Sequence, residues 1–226
     1  MGQSFVSDYG YPGHARKSVL LKLFQTFLFA AGLVGASATA QAQSFASISG
    51  GAQPIQNSGG AKPILGWVKF CEQNPGECAV NPAEARVITL TPQVWSAILS
   101  VNKRVNADIK PVTDQEHLGV VDNWSLPSDG KGDCEDYQLL KRKMLADMGL
   151  PRRAMRMTVV IDEIGEGHAV LMVRTDKGDY ILDNKTSAVL SWDATGYSYV
   201  KRESQEATAW VSLGGITTSP TTTANR

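Results

Sequence analysis

The sequence lacks an excess of charge of either sign, and it contains only three cysteines and three histidines. Its 22 basic residues balance its 22 acidic residues, so electrostatics give no reason to expect a nucleic acid as a partner. It has a single extended apolar run, which is too short to span a bilayer comfortably. With 42% hydrophobic and 19% charged residues, the composition is globular and excludes a collagen-like, coiled-coil or wholly disordered chain.

The first 42 residues have the layout of a secretory signal. The apolar run Leu23–Ala36 is followed by small residues, which are typical of a cleavage site. We expect cleavage after Ala42, with Ala40 as the alternative position, and an uncleaved anchor is the rival interpretation. A cleaved signal predicts a periplasmic or secreted protein. The basic residues that precede the apolar run are His14, Arg16, Lys17 and Lys22.

The composition after the signal predicts one folded domain with two irregular ends. Residues 43–64 are rich in serine, glycine, alanine and glutamine, so we predict a flexible leader. Residues 65–213 carry the periodic apolar patterns of a domain. Residues 214–226 are rich in threonine and serine and are predicted to be disordered.

The order of the apolar patterns predicts an α+β fold with helices packed on an antiparallel sheet. Thr91 and Pro92 are suited to begin a helix, and a second helix is expected from Asp133. The period then changes to that of strands, and helices followed by a run of strands indicate α+β. The predicted strands are Met155–Ile161, His168–Arg174, Asp179–Leu182, Tyr197–Arg202 and Thr208–Leu213.

The three cysteines have different neighbours. Cys71 and Cys78 flank Asn74-Pro75-Gly76, a strong turn signal that would bring the two thiols together. In an exported protein this arrangement predicts a disulfide, and a metal site is the rival interpretation. Cys134 then has no partner, so it is either an inert buried residue or a nucleophile.

The neighbours of Cys134 favour a nucleophile. It lies in the first turn of a predicted helix, where free backbone N–H groups and the helix dipole are expected to lower the pKa of a thiol. His168 begins one predicted strand and Asp183 ends the next, which makes them neighbours across a hairpin. The three residues are therefore candidates for nucleophile, base and imidazole-orienting acid. Each has a simpler explanation, as a packed cysteine, an ordinary strand histidine or a turn aspartate.

A set of short motifs resembles the bacterial transglutaminase-like cysteine peptidases. The resemblance covers roughly residues 65–200, and it implies a papain-like, transglutaminase-like α+β fold with a Cys134–His168–Asp183 triad. The motifs are Gly132-Asp133-Cys134-Glu135-Asp136-Tyr137, Lys141-Arg142, Gly149-Leu150-Pro151, Gly167-His168-Ala169-Val170-Leu171 and Leu182-Asp183-Asn184, with Val101-Asn102 and Asp122-Asn123-Trp124 upstream.

The LapG-type branch of this family implies further expectations. Its members are periplasmic, bind calcium through acids around the catalytic cysteine, and cut a large surface adhesin. The matching acids here are Asp133, Glu135 and Asp136, and clustered carboxylates suit Ca²⁺, a hard cation. Helix capping explains acids in a first turn equally well. The resemblance thus implies a protein substrate such as an adhesin, an inner-membrane regulator as partner, and Ca²⁺ as the ion, with no cofactor required for the chemistry.

Two departures from the adhesin-cleaving branch and several rival functions stay open. The segment between Trp124 and Gly132 is shorter than that branch has, and the Cys71–Cys78 pair resembles other branches. The same triad would serve a transglutaminase or an amidase, and a calcium-binding module without activity is a further rival.

Weaker site candidates lie outside the triad. His117 and Trp124 precede the candidate nucleophile, and each has an ordinary structural explanation as a solvated loop histidine and a core tryptophan. The charged run Lys141-Arg142-Lys143 is predicted to lie on the exposed side of its helix.

Overall fold

In the computed structural model, residues 53–215 are described, and seven of their strands form one antiparallel sheet. The order across the sheet is β1-β9-β8-β4-β5-β6-β7, and a separate parallel pair joins β2 to β3. The strands of the large sheet are β1 (Gly59–Ala61), β4 (Met155–Ile161), β5 (Gly167–Thr175), β6 (Gly178–Leu182), β7 (Leu190–Ser191), β8 (Ser198–Glu203) and β9 (Trp210–Ser212); the pair is β2 (Lys110–Pro111) and β3 (Lys131–Gly132).

Helices precede the central strands, which confirms the predicted α+β class. Thr91 accepts a hydrogen bond from the backbone N–H of Val94, so it caps its helix as predicted. Among residues 53–215, no helix is both long enough and apolar enough to cross a membrane. The helices are α1 (Leu65–Gln73), α2 (Pro75–Cys78), α3 (Pro92–Asp108), α4 (Asp114–His117) and α5 (Cys134–Asp147), with short 3-10 turns at Arg152–Ala154 and Trp192–Ala194.

The sheet buries both of its faces. Along β5, Leu171 and Val173 face the helices, whereas Val170 and Met172 belong to a second apolar cluster on the other face. Because successive side chains of a strand point to opposite faces, a strand buried on both sides reads as a continuous apolar run. This is why β4 and β5 lack the alternating pattern of a half-exposed strand.

The segment before α1 differs from the flexible leader predicted for residues 43–64. Its described part, 53–64, includes β1, which pairs with β9, and Ile55, which is buried in the second apolar cluster. Trp67 and Phe70, whose apolar side chains favour a strand or a buried segment in the sequence, are buried within the helix α1. The pairing partners of β1 follow it by about 150 residues, so local composition does not indicate them. The predicted signal 1–42 and all but two residues of the predicted tail lie outside the described residues.

Cys71 and Cys78 form the predicted disulfide, with a sulfur–sulfur distance of 1.99 Å. The chain between them contains the end of α1 and the short helix α2 in place of the simple turn expected from Asn74-Pro75-Gly76. Cys134 is the remaining free cysteine, and it is buried.

The charged run on α5 is not on an exposed face, which corrects the prediction for Lys141 and Arg142. Both side chains are completely buried, and Arg142 donates to Glu203 on β8 at 2.6 Å. Glu203 also accepts from the indole N–H of Trp67 at 2.6 Å and from the backbone N–H of Met157 at 3.0 Å. The buried charge of Arg142 is thus matched by a carboxylate that comes from a distant strand.

The Glu203→Ala variant is expected to lower the free energy of unfolding by about 3–5 kcal/mol, because it leaves the buried charge of Arg142 without its partner. Chemical denaturation followed by circular dichroism measures this change. Arg86→Ala is the matched control: it removes an ion pair to Glu206 in which both side chains are more than half exposed, and we expect a loss below about 1 kcal/mol. Equal losses in the two variants would contradict this assignment.

Candidate active site

Cys134 is the first residue of α5, which follows the short strand β3. Its side chain is completely buried and packs against Ala169 of β5. The backbone of Ala169 forms a hydrogen bond with the Cys134 sulfur, and the thiol donates to Oε2 of Glu135 at 3.0 Å. The candidate nucleophile therefore lies beside the strand residue that follows His168.

His168 and Asp183 meet at the edge where β5 begins and β6 ends. Nε2 of His168 lies 2.8 Å from Oδ1 of Asp183, and both side chains are buried. Nδ1 of His168 is also buried, and among residues 53–215 it has no hydrogen-bond partner. One ring nitrogen is thus oriented by a carboxylate, while the other remains available for a proton from a thiol or a leaving group.

Further contacts fix the carboxylate of Asp183. Its Oδ1 accepts from the backbone N–H of Lys185 at 3.0 Å, and its Oδ2 accepts from the hydroxyl of Tyr197 at 2.7 Å. Burial raises the pKa of Asp183, but His168, the Lys185 backbone and the Tyr197 hydroxyl outweigh it and lower the pKa to about 2. The carboxylate is therefore ionised at every pH at which the protein is expected to work.

The edge of Tyr197 also meets the imidazole of His168, with the ring centroids 5.9 Å apart. A cavity of about 310 Å³ opens beside Asp183 and Tyr197. Its walls also include Glu163, Lys185, Thr186 and Leu190.

The pKa of Cys134 differs from the expectation for a helix N-terminus. Complete burial raises the pKa of the thiol well above its ordinary value, and the charges of Glu135 and Asp133 raise it further. These effects exceed the influence of the helix dipole, which is worth about 0.3–1 kcal/mol at an exposed site. Helix position alone therefore does not produce a thiolate in this site, and a nearby base is needed.

Acidic side chains surround the start of α5 in two overlapping groups. In each group three carboxylate oxygens lie within 4.8 Å of one another, which is compatible with a shared cation. Glycine at 132 permits part of this packing, since a Cβ there would lie 2.6 Å from Oδ2 of Asp136. The groups are Asp114, Asp122 and Glu135, and Asp114, Asp133 and Asp136.

Helix capping accounts for only part of this cluster, since the Asp136 carboxylate accepts a hydrogen bond from the backbone N–H of the N-cap residue Asp133. Asp133 occupies the N-cap position of α5 but makes no capping hydrogen bond with its side chain. Oδ1 of Asp133 and Oε1 of Glu135 are buried without a hydrogen-bond partner among the described residues. All-oxygen donors with unused buried oxygens fit a hard cation such as Ca²⁺.

Mutual repulsion and burial also shift the acids toward their protonated forms. Burial first, and then the neighbouring carboxylates, raise the pKa of Asp133 to about 7 and that of Asp136 to about 8. The pKa of Glu135 is raised well above its ordinary value for the same reasons. A bound cation would favour the ionised carboxylates and remove this repulsion.

Asp114 and Asp122 are the site residues that sequence reasoning missed. Asp114 belongs to both acidic groups, yet it precedes Cys134 by 20 positions and lies in a different helix, α4. Asp122 was noted only as part of the Asp122-Asn123-Trp124 motif, and its Oδ2 accepts from the backbone N–H of Gly66 at 3.0 Å. Neither position lies in the first turn of α5, where the acids were sought.

The weaker candidates have structural roles. Nε2 of His117 lies 2.8 Å from Oδ2 of Asp129, a contact that links α4 to the turn before β3. Trp124 is buried in the main core and packs edge-on against Trp210. We assign neither residue to the catalytic site.

The chain matches one family model, described as bacterial transglutaminase-like cysteine proteinase, over residues 57–218. The chain belongs to this family. It is therefore a transglutaminase-like cysteine peptidase, a hydrolase, as the sequence motifs predicted. Among curated proteins, no sequence matches this chain.

Three solved structures of Legionella pneumophila LapG are similar to this peptidase over part of its length. The first is 27% identical with a TM-score of 0.46, and the matched region covers 56% of this chain and 72% of the LapG chain. An EGTA-treated form is 28% identical with a TM-score of 0.43, covering 50% and 64%. A calcium-bound form is 24% identical with a TM-score of 0.47, covering 60% and 77%.

Proposed function

We propose that this peptidase cleaves a peptide bond of a protein substrate through Cys134, His168 and Asp183. The observation that carries the proposal is the buried His168–Asp183 pair, whose Nε2 and Oδ1 atoms lie 2.8 Å apart next to the strand residue that contacts Cys134. An inert packed cysteine would not need an oriented imidazole beside it. A surface histidine would not be completely buried.

Each residue has one role in this mechanism. Nδ1 of His168 accepts the thiol proton, and the resulting Cys134 thiolate attacks the substrate carbonyl carbon. His168 returns the proton to the leaving amine as the peptide bond breaks, which leaves an acyl group on the sulfur. A water molecule, deprotonated by His168, then hydrolyses the thioester and regenerates the thiol. Asp183 orients the imidazole and stabilises its charged form throughout.

We further propose that Ca²⁺ binds the acidic groups at the start of α5. Its ligands would come from the predicted Asp133, Glu135 and Asp136 together with Asp114 and Asp122. A bound cation would supply positive charge beside the nucleophile-bearing turn and hold that turn in place. The support is the set of unused buried oxygens and the raised carboxylate pKa values described above.

The cellular setting of the proposal follows from the sequence. A signal over residues 1–42 would export the chain to the periplasm or beyond, where the Cys71–Cys78 disulfide is stable. The proposed substrate is an exported or surface protein, with a surface adhesin as the first candidate on the resemblance to the LapG-type branch. An inner-membrane protein that controls access to the site would be the corresponding regulator.

The class of reaction is tested by treating exported proteins with the purified enzyme in Ca²⁺ and sequencing all new peptide N-termini by mass spectrometry. We expect new N-termini with the wild type and none with Cys134→Ala, which removes the sulfur alone. Cross-linked peptides would instead identify a transglutaminase, and side-chain deamidation without cleavage would identify an amidase. Either result would overturn the peptidase proposal, as would identical products from both enzymes.

Calcium binding is expected to stabilise the fold measurably. Because a ligand that binds only the folded state stabilises it by mass action, Ca²⁺ at 100 times its dissociation constant should add about 2.7 kcal/mol. Thermal unfolding with Ca²⁺, with Mg²⁺ and with a chelator measures the effect. Asp133→Asn should reduce the calcium response, whereas Asp147→Asn, an exposed acid on the same helix, should retain it. An equal response in both variants would place the ion elsewhere.

A further inference from the structure

The pairing between β5 and β6 stops short of the two residues that the proposed mechanism needs together. The last paired residues of the two strands are Leu171 and Leu182. His168 lies three positions before Leu171 on β5, and Asp183 is the first residue after β6. The hydrogen bonds of the β5–β6 ladder therefore do not fix Asp183 relative to His168, and other contacts have to do so.

His168 is anchored on its other side, to β4. It pairs with Val160, and the turn that joins β4 to β5 begins at Asp162. The buried carboxylate of Asp162 organises this turn, because its Oδ1 accepts from the backbone N–H groups of Ile164 at 3.1 Å and Glu166 at 2.7 Å. Asp162 is thus held in a fixed position within the hairpin that carries His168.

Lys185 joins this turn to the segment that follows β6. Its ammonium group donates to Oδ2 of Asp162 and forms an ion pair with it. Its backbone N–H donates to Oδ1 of Asp183 at 3.0 Å, and the same oxygen lies 2.8 Å from Nε2 of His168. One residue therefore contacts both the carboxylate that faces the imidazole and the hairpin that carries the imidazole.

The pair formed by Lys185 and Asp162 stays charged near neutral pH. Burial raises the pKa of Asp162, but the Lys185 ammonium group and the backbone N–H groups of the turn outweigh it and lower the pKa below its ordinary value. Burial lowers the pKa of Lys185, but Asp162, and then the charges of Glu163 and Asp183, raise it above its ordinary value. Each partner thus favours the charged form of the other.

The other hydrogen bonds to Asp183 do not make this connection. Asn106 of α3 donates to the backbone oxygen of Asp183 at 2.8 Å, which holds the main chain and not the carboxylate. Tyr197 donates to Oδ2, and the oxygen that faces His168 is Oδ1. Neither of these two hydrogen bonds ends on the turn between β4 and β5.

We propose that Lys185 and Asp162 form a clamp of the active site, in which Lys185 is a positioning residue that holds the Asp183 carboxylate toward Nε2 of His168. The clamp connects the two strands of the catalytic pair beyond the end of their ladder. Lys185 acts through Asp183 and takes no part in the proton transfers. This inference rests on the proposed function, because it takes Asp183 as the partner of the catalytic histidine.

The clamp is tested by kinetics together with nuclear magnetic resonance of the full-length enzyme labelled with nitrogen-15 histidine. Lys185→Met removes the ammonium group and keeps the backbone N–H that Asp183 accepts. Its kcat should fall about tenfold or more with KM changed about twofold or less, because no substrate contact is removed. In the neutral wild-type imidazole of His168 the proton should lie on Nε2, and Asp183→Asn assigns the signals. In Lys185→Met a larger share of the rings should carry the proton on Nδ1.

Three further variants separate positioning from a general loss of structure. Lys185→Arg keeps a cation for Asp162 and should retain most of kcat. Asp162→Asn keeps an acceptor oxygen for the turn and should reproduce the loss, so it supplies the test if Lys185→Met does not fold. Combining Asp162→Asn with Lys185→Met should add little, because the two residues act as a unit. Lys177→Met changes an exposed lysine at the other end of the β5–β6 hairpin, and it should leave kcat and the His168 signals unchanged.

The outcomes for the clamp and for the triad are distinct. A wild-type kcat in both Lys185→Met and Asp162→Asn would overturn the inference alone. So would a lower kcat with unchanged His168 signals, since the effect would then not pass through the catalytic pair. Full cleavage activity in Asp183→Asn would overturn the proposed function, and the inference with it.

Discussion

The His168→Ala variant is expected to cleave the substrate at least about 10⁴-fold more slowly than the wild type. Burial and the charges of Glu135 and Asp133 raise the pKa of Cys134, so little thiolate forms without a neighbouring base. His168 is the proposed base, and its strand β5 packs beside the helix that begins with Cys134. Its loss removes both the proton acceptor for attack and the proton donor for the leaving amine. Steady-state cleavage of the identified substrate measures the change.

His117→Ala is the matched control for this prediction. His117 is a partly exposed histidine that pairs with Asp129, and its removal should change the rate by about twofold or less. Both variants should retain the wild-type circular dichroism spectrum. A large loss in His117→Ala, or full activity in His168→Ala, would contradict the assignment of the base.

The Asp183→Asn variant has the second-largest expected effect, a fall in kcat of about 10⁴-fold with folding retained. The amide can occupy the same space, but it no longer stabilises the protonated imidazole or selects the ring tautomer that leaves Nδ1 free. Steady-state kinetics at a pH where the wild type is fully active measures the loss. Since the pKa of Asp183 lies near 2, the wild-type carboxylate stays ionised there.

Tyr197→Phe is the control for Asp183. It removes only the hydrogen bond to Oδ2 and leaves the Oδ1 contact with His168 intact. We expect a loss of less than about tenfold, the worth of one hydrogen bond to a charged group. Equal losses of activity in the two variants would contradict this assignment. They would indicate that Asp183 only anchors the surrounding structure and does not orient the imidazole or stabilise its charge.

Much of the fold was accessible from sequence because its signals are local. The start of α3 is such a signal, because the capping hydrogen bond from Val94 to Thr91 and the proline at 92 lie within four consecutive residues. The predicted bounds of β4 agree with the structure, and the other four predicted strands differ from β5, β6, β8 and β9 by one or two residues at their ends, whereas the short strand β7 was not predicted. The disulfide was equally local, since a short turn-containing segment separates its two cysteines.

The predictions that were wrong concern segments whose partners lie far along the chain. The exposed face predicted for Lys141 and Arg142 assumed that charged residues on a helix meet solvent, whereas Glu203 supplies a buried partner 61 residues later. Residues 53–64 were assigned to a flexible leader because their composition is simple, yet they pair with β9 at the other end of the domain. Helical periodicity does not reveal partners of this kind.

The sequence predicts several residues of the candidate site, but it does not predict all of its acids or the pKa of its cysteine. The hairpin geometry that suggested His168 and Asp183 as neighbours needs only two adjacent strands and the turn between them. Asp114 and Asp122 escaped notice because they join the acids of α5 only in three dimensions. The pKa of Cys134 was expected to be low, but burial and the nearby carboxylates act in the opposite direction and are stronger.

The most direct test of the central claim is the rate at which a small alkylating reagent modifies Cys134 at one near-neutral pH. Because Cys71 and Cys78 are joined, Cys134 is the one free thiol, and intact mass reports its modification alone. We predict rapid modification of the wild type and of His117→Ala, and modification of His168→Ala slower by about tenfold or more. Equal rates in all three proteins would show that His168 does not activate Cys134, and the proposed triad would be wrong.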